Sequence, residues 1–182
     1  MSAVNIPGPI TPTRTPSIRL PTGSCDCHAH VFGPRPRFEV VANTHYVPPD
    51  CLLPDYLGML GSIGCSRGVL VQPSVYGTDN TAIAEALATT NATKAFELRA
   101  VAVVDSTITD GELERLHALG FRGVRINIAS TTPGLTLTDA PRLAARIKPL
   151  GWHLQLYADF RTSPTIETEL ARLDIDIVID HF

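Results

Sequence analysis

From Ser24 onward the pattern of apolar and polar positions switches between two periods. Short runs of apolar and β-branched residues at Cys25–Phe32, Gly68–Ser74, Leu98–Asp105, Gly123–Asn127, Trp152–Asp159 and Asp176–Phe182 predict strands. Between them apolar residues recur at helical spacing, as Leu57 and Leu60 within Asp55–Ile63, Ile83 and Leu87 within Thr81–Thr90, and Leu113, Leu116 and Leu119 behind Thr109. The helix ends carry signals of their own. Thr109 with Glu112 forms a candidate capping box and Gly120 a stop. Asp139 and Pro141 open a segment through Leu143 and Ile147 that Gly151 closes, and Ser163-Pro164 has the N-cap, N1 form ahead of Ile166, Leu170 and Leu173. The predicted order is βαβαβαβαβαβ.

Strands that alternate with helices and read as nearly continuous Val/Ile/Leu runs imply a parallel sheet covered on both faces. A doubly wound open sheet and a (β/α)8 TIM barrel both fit. The strand centres recur about every 30 residues, the size of one βαβ unit, so a closed barrel needs roughly 240 residues. The chain has 182. Its last strand runs to Phe182 with no helix after it, and the expectation is an incomplete α/β TIM barrel, about six of eight β/α units, cut short at its C-terminus. Residues 1–22 contain Pro7, Pro9, Pro12, Pro16 and Pro21 and few apolar anchors, which predicts an extended, poorly packed leader ahead of a partial barrel over residues 23–182.

Composition narrows the functional classes. At 44% apolar residues the chain can build a core, and 15 Lys+Arg against 18 Asp+Glu gives a net charge of −3, no electrostatic reason to expect nucleic acid or an anionic membrane as partner. With no apolar stretch of membrane-spanning length and no secretory leader pattern, a cytoplasmic protein is expected. Its four cysteines, Cys25, Cys27, Cys51 and Cys65, read as reduced thiols.

The first strand brings the chemistry. In Asp26-Cys27-His28-Ala29-His30, period-two alternation puts Asp26, His28 and His30 on one face. Two imidazoles there can bind one metal ion or grip one substrate oxygen. His181 lies at the end of the last strand, and in barrels the C-terminal strand ends carry the active site. Asp180, next to His181, is expected to point to the opposite face. His45 and Tyr46 read as part of a rigid surface loop, His117 as solvent-facing and His153 as a packed strand-start residue.

The segments DCHAHVFGP, VQPSVYGTDN, FRGVRIN, GWHLQLY and IVIDHF resemble the amidohydrolase superfamily. More closely, they are similar to its branch of 2-pyrone-4,6-dicarboxylate lactonase and related sugar-lactone enzymes. The resemblance runs from Gly23 to Phe182 and implies hydrolysis of a lactone, a small-molecule cyclic ester, by water adding to its carbonyl. It implies His28, His30 and His181 as catalytic groups around that carbonyl, Arg125 as partner of a substrate carboxylate, and Ser74 and Tyr157 as hydroxyls that reach the substrate. Metal-dependent members take further ligands from the fourth and fifth strands, where this sequence has Arg125, Asn127 and Tyr157. No obligatory cofactor is therefore expected; if a divalent metal such as zinc or manganese binds, His28, His30 and His181 are its candidate ligands. The family's general base is an eighth-strand aspartate that these residues do not include, so the chain by itself is expected to be inactive unless a second chain supplies one. Ser130, Thr131 and Thr132 stand where the dicarboxylate enzyme has a second basic residue, which leaves a monocarboxylate or sugar lactone as plausible as the pyrone diacid. A sugar-lactone isomerase, a metal-dependent amidohydrolase or decarboxylase on the same barrel, and an inactive barrel fragment remain as alternatives.

Overall fold

Apolar runs pair in sequence order to make one parallel sheet. The computed structural model describes residues 4–42, 44, 46–129, 134–162 and 164–181. The expectations for His45, Ser130–Thr132, the Ser163 cap and Phe182 lie outside the described residues. The elements are β1 (Val4–Asn5), β2 (Cys25–Ala29), β3 (Tyr46–Val47), α1 (Leu53–Ile63), β4 (Arg67–Val71), α2 (Thr81–Thr93), β5 (Glu97–Ala102), α3 (Asp110–Leu119), β6 (Phe121–Asn127), α4 (Ala140–Ile147), β7 (His153–Tyr157), α5 (Ile166–Leu170) and β8 (Ile177–Asp180).

The six barrel strands lie in the order β2-β4-β5-β6-β7-β8. That strictly sequential order separates the two candidate architectures, because a doubly wound sheet reverses its strand order at a switch point. The chain forms a half-barrel of six parallel strands with helices on its outer face. Residues at alternate positions face those helices: Leu70, Leu98, Ala100, Ala102, Val124, Ile126, Leu154 and Leu156 join Leu60, Ile83, Leu87, Leu113, Leu116, Leu143 and Ile147 in one buried cluster. The concave face is different in kind, carrying Arg125, Gln155 and Asp180, all buried polar groups. The strands are thus apolar on the helix side and chemically mixed inside.

Local signals act largely as expected. The Thr109 hydroxyl accepts from the Glu112 backbone N–H at 3.1 Å, capping α3. The Glu112 carboxylate does not close the capping box; it binds Arg115. Gly120 ends the helix at φ 115°, a conformation that favours glycine. Five of the six barrel strands are shorter than the apolar runs, while β6 begins two residues earlier, at Phe121. After Val71 the chain leaves the sheet through Pro73 into one 3-10 turn, Ser74–Tyr76, so Ser74 stands beyond the strand that the pattern assigned to it. His117 does not face open solvent: its Nδ1 accepts from Trp152 Nε1 at 2.9 Å.

Residues 6–22 of the leader are exposed, yet the leader touches the domain twice. β1 pairs in parallel with β3, and Pro9–Pro12 line a cavity of about 380 Å³ together with His30 and residues of α1. None of the described helices is long and apolar enough to cross a membrane.

Candidate active site

The geometry of β2 differs from a plain alternating strand. Asp26 pairs with Gly68 and Ala29 with Leu70, so three steps on β2 match two on β4, a bulge. Asp26 consequently leaves the face of His28 and His30 and lies against the Tyr56 phenol of α1, whose own ionisation is pushed up by burial and by that carboxylate. A Cβ on Gly68 would collide with the same hydroxyl, which is why the strand has glycine opposite Asp26. His28 and His30 turn to the concave side, their rings edge to face with centroids 5.1 Å apart.

At the other end of the sheet β8 stops at Asp180. Tyr157 is paired with Asp180 and Arg125 with Gln155, which puts these four side chains on one concave face. Asp180 therefore points into the barrel, contrary to the expectation from its neighbour. His181 reaches the same place because its φ is 55°, a left-handed turn that breaks the strand alternation. Such a conformation costs a non-glycine residue roughly 1 kcal/mol or more.

The curl of the half-barrel brings its first and last strands together. The His28 and His181 ring centroids are 5.1 Å apart. Tyr157 packs edge-on to His181 at 4.9 Å and lies under the Arg125 guanidinium at 5.0 Å. Below them Asp180 Oδ2 accepts from Arg125 Nε and from Gln155 Nε2, both at 2.7 Å, and Asp180 Oδ1 lies 2.9 Å from His181 Nε2. Burial pushes the Asp180 carboxyl up, but the hydrogen bonds from Arg125 and Gln155 outweigh it and hold the group below the ordinary carboxylate range. The aspartate is an anion tied to a cation.

His30 Nδ1 lies 2.7 Å from the Val71 carbonyl. A carbonyl only accepts, so Nδ1 carries the proton and Nε2 keeps its lone pair. Gln155 Nε2 approaches His28 Nδ1 at 3.5 Å, the outer limit of a hydrogen bond, which favours the proton on His28 Nε2; that atom is buried and unpartnered. Burial lowers the pKa of both rings, His30 from 6.5 to about 4. An unfolded chain takes up a proton at His30 below about pH 6.5 while the folded chain resists until about pH 4, so stability is expected to fall on acidification through that window, with His28 acting in the same direction. The His30 share is up to about 3 kcal/mol. Urea unfolding at pH 7.5 and 4.5 measures it: the His30→Asn variant should lose distinctly less stability between the two, and equal losses would mean that His30 is not buried in its neutral form.

Of the residues singled out in the sequence, His28, His30, His181, Arg125 and Tyr157 meet here. Ser74 instead faces the Tyr46 phenol, a group also within the field of Arg125. Asp180 and Tyr46, read from the sequence as facing away and as part of a surface loop, belong to the neighbourhood, Tyr46 because it is half-buried on β3 beside Ser74; Gln155 joins them and was findable, two residues before Tyr157 on the same strand face. Two cavities flank the imidazoles. One is the 380 Å³ space beside His30, and the other, about 530 Å³, is lined by Ala129, Tyr157, Ala158, Asp159, Phe160, Arg161 and His181.

Residues 25–182, which include every group of this cluster, match the family model for amidohydrolases. The chain belongs to the amidohydrolase family. Among curated relatives, this amidohydrolase is 34% identical over 167 residues to a 2-pyrone-4,6-dicarboxylate hydrolase of Comamonas testosteroni, covering 91% of the chain and 53% of that protein. It is 30% identical over 179 residues to a 4-sulfomuconolactone hydrolase of Rhizobium radiobacter, covering 96% of the chain and 58% of that protein. The chain thus spans about half the length of the curated relatives it matches. Among solved structures, it is similar to a probable 2-pyrone-4,6-dicarboxylic acid hydrolase from Acinetobacter baumannii with citric acid bound, at 30% identity and a TM-score of 0.74, covering 86% of the chain and 57% of that one.

Proposed function

We propose that the protein carrying this chain is a hydrolase that opens a carboxylated lactone by adding water to the ring ester carbonyl. The observation that carries the reading is the meeting of His28 and His181, from opposite ends of the sheet, at 5.1 Å between ring centroids. His28 and His181 flank a point where an ester group fits, with the His30 Nε2 lone pair alongside as an acceptor, and donors aimed at an oxygen that gains charge in the transition state are the strongest aid to acyl transfer. In this reading His28 Nε2–H, buried and otherwise unpartnered, donates to the carbonyl oxygen. His181, exposed at the mouth and adjacent to Asp180, carries a proton to the departing ring oxygen. Asp180, its acidity enhanced by Arg125 and Gln155, is too weak a base to take the proton of the attacking water. That role goes to a group outside these six strands. Tyr157 lines the approach of the substrate, with Arg125 packed on its ring and Ser74 set further off beside Tyr46. The names of the relatives add support, since two denote hydrolases of lactone-type rings bearing acid groups, and the Acinetobacter protein holds a tricarboxylic acid.

His28, Asp180 and His181 offer ligand atoms that all lie within 4.8 Å of one another. With His28 Nε2 and Asp180 Oδ1 lacking a well-formed hydrogen bond, the trio fits a divalent cation such as zinc or manganese. Such an ion, when bound, would polarise the carbonyl as a Lewis acid. Arg125 already compensates the Asp180 charge, and the reading requires no cation. Ring opening of 2-pyrone-4,6-dicarboxylate and related lactone acids, assayed before and after dialysis against a chelator, tests both parts. Turnover that survives chelation is the expected result. Failure on every carboxylated lactone removes the functional reading, and activity that returns only with zinc or manganese removes the metal-independent one.

A further inference from the structure

The loop after β7 puts a second arginine at the mouth of the site. Arg161 lines the 530 Å³ cavity together with Tyr157 and His181, and it is the one Lys or Arg among the lining residues. It is 90% exposed and grips Asp159, two residues back, through Nε at 2.9 Å and Nη2 at 2.7 Å. Among the described residues its Nη1 has no partner. Arg125, the deeper arginine, is in the opposite situation: its side chain is 4% exposed and its charge is matched by an aspartate that is 1% exposed. Removing one partner of a buried pair is costly, whereas an exposed pair contributes little and yields readily to a competing anion.

We infer that Arg161 is a specificity-determining residue, binding an anionic substituent of the lactone on the side of the ring away from His28. This rests on the lactone reading and names its substrate class more closely: a ring with an acid group, carboxylate or sulfonate, that reaches the β7 side of the cavity. The guanidinium fork suits either oxyanion. Asp159 keeps the fork turned along the loop until the substrate arrives, and Nη1 meets the anion without the Asp159 bond having to break first. The Ser130–Thr132 segment, which has no basic residue, need not supply the second anchor.

The test compares kcat/KM for 2-pyrone-4,6-dicarboxylate with that for an uncharged 2-pyrone ester, in the native protein and in Arg161→Met and Arg161→Glu. The expected result is that the charged-over-uncharged ratio falls about 10-fold in Arg161→Met, mostly through KM, and further in Arg161→Glu. Arg161→Lys should recover part of it. Unchanged melting temperatures are expected, because the side chain is exposed and a surface ion pair such as that with Asp159 contributes little. A ratio within twofold of the native value in both variants overturns the inference, as does an equal loss on both substrates, which would make Arg161 a wall of the cavity and no more. If the native protein opens neither ring, the lactone reading falls first. Calorimetric titration of the same two compounds then decides the inference: about 10-fold weaker dicarboxylate binding in Arg161→Met supports it, and equal binding overturns it.

Discussion

Replacing Asp180 with alanine is expected to remove about 3–5 kcal/mol of stability, more than any other single change in the concave face. The substitution leaves Arg125 as a charge whose side chain is 4% exposed, with no counter-ion. It also strips the acceptor from Gln155, a second buried polar group. The cost comes from the uncompensated partner and not from the intrinsic worth of the pair, since desolvating two ions offsets most of their attraction. The double variant Arg125→Met, Asp180→Leu should therefore be more stable than Asp180→Ala alone, although it removes more groups. Urea denaturation of the native protein, Asp180→Ala, the double variant and its two single parents, Arg125→Met and Asp180→Leu, gives the coupling directly. A loss below about 1 kcal/mol in Asp180→Ala, or a double variant as unstable as the sum of the singles, would mean that water reaches the pair and screens it.

What was legible in the sequence was what depends on near neighbours. Thr109 caps α3, Gly120 ends it, and the alternation of strand and helix leads to the half-barrel because right-handed crossovers leave few other arrangements. The family could be read from motifs that lie at strand ends. What resisted reading was side-chain direction at two places where the strand period breaks. A single extra residue in β2 moves Asp26 to the helix side while His28 and His30 stay inside, because a one-residue slip exchanges the faces of everything beyond it. At the end of β8 the left-handed turn at His181 lets two consecutive residues serve one site, although alternation allows only one of them there. Neither break has a glycine or proline to announce it. The ion pair between Arg125 and Asp180, 55 residues apart, follows from the second break and is invisible to any local pattern.

His28→Ala and His181→Ala are each expected to lower kcat for lactone opening by about 10²–10⁴-fold, the usual share of a positioned proton donor or of one oxyanion contact. The two should differ in what else they change. His28 is half-buried between Gln155 and the other imidazoles, so its loss also opens a small polar void and should cost some stability. His181 is largely exposed and sits in a strained left-handed conformation, so His181→Gly relieves the backbone while removing the imidazole. His181→Gly should thus be at least as stable as the native protein and nearly as inactive as His181→Ala, a combination that a purely structural histidine would not produce. The double variant should be little worse than either single one, because two groups that act on one ester as its ring opens lose their common purpose together. Rates that multiply, or a His181→Gly variant that keeps more than a tenth of native turnover, would mean that the two imidazoles do not act together on one ester, whatever their separation.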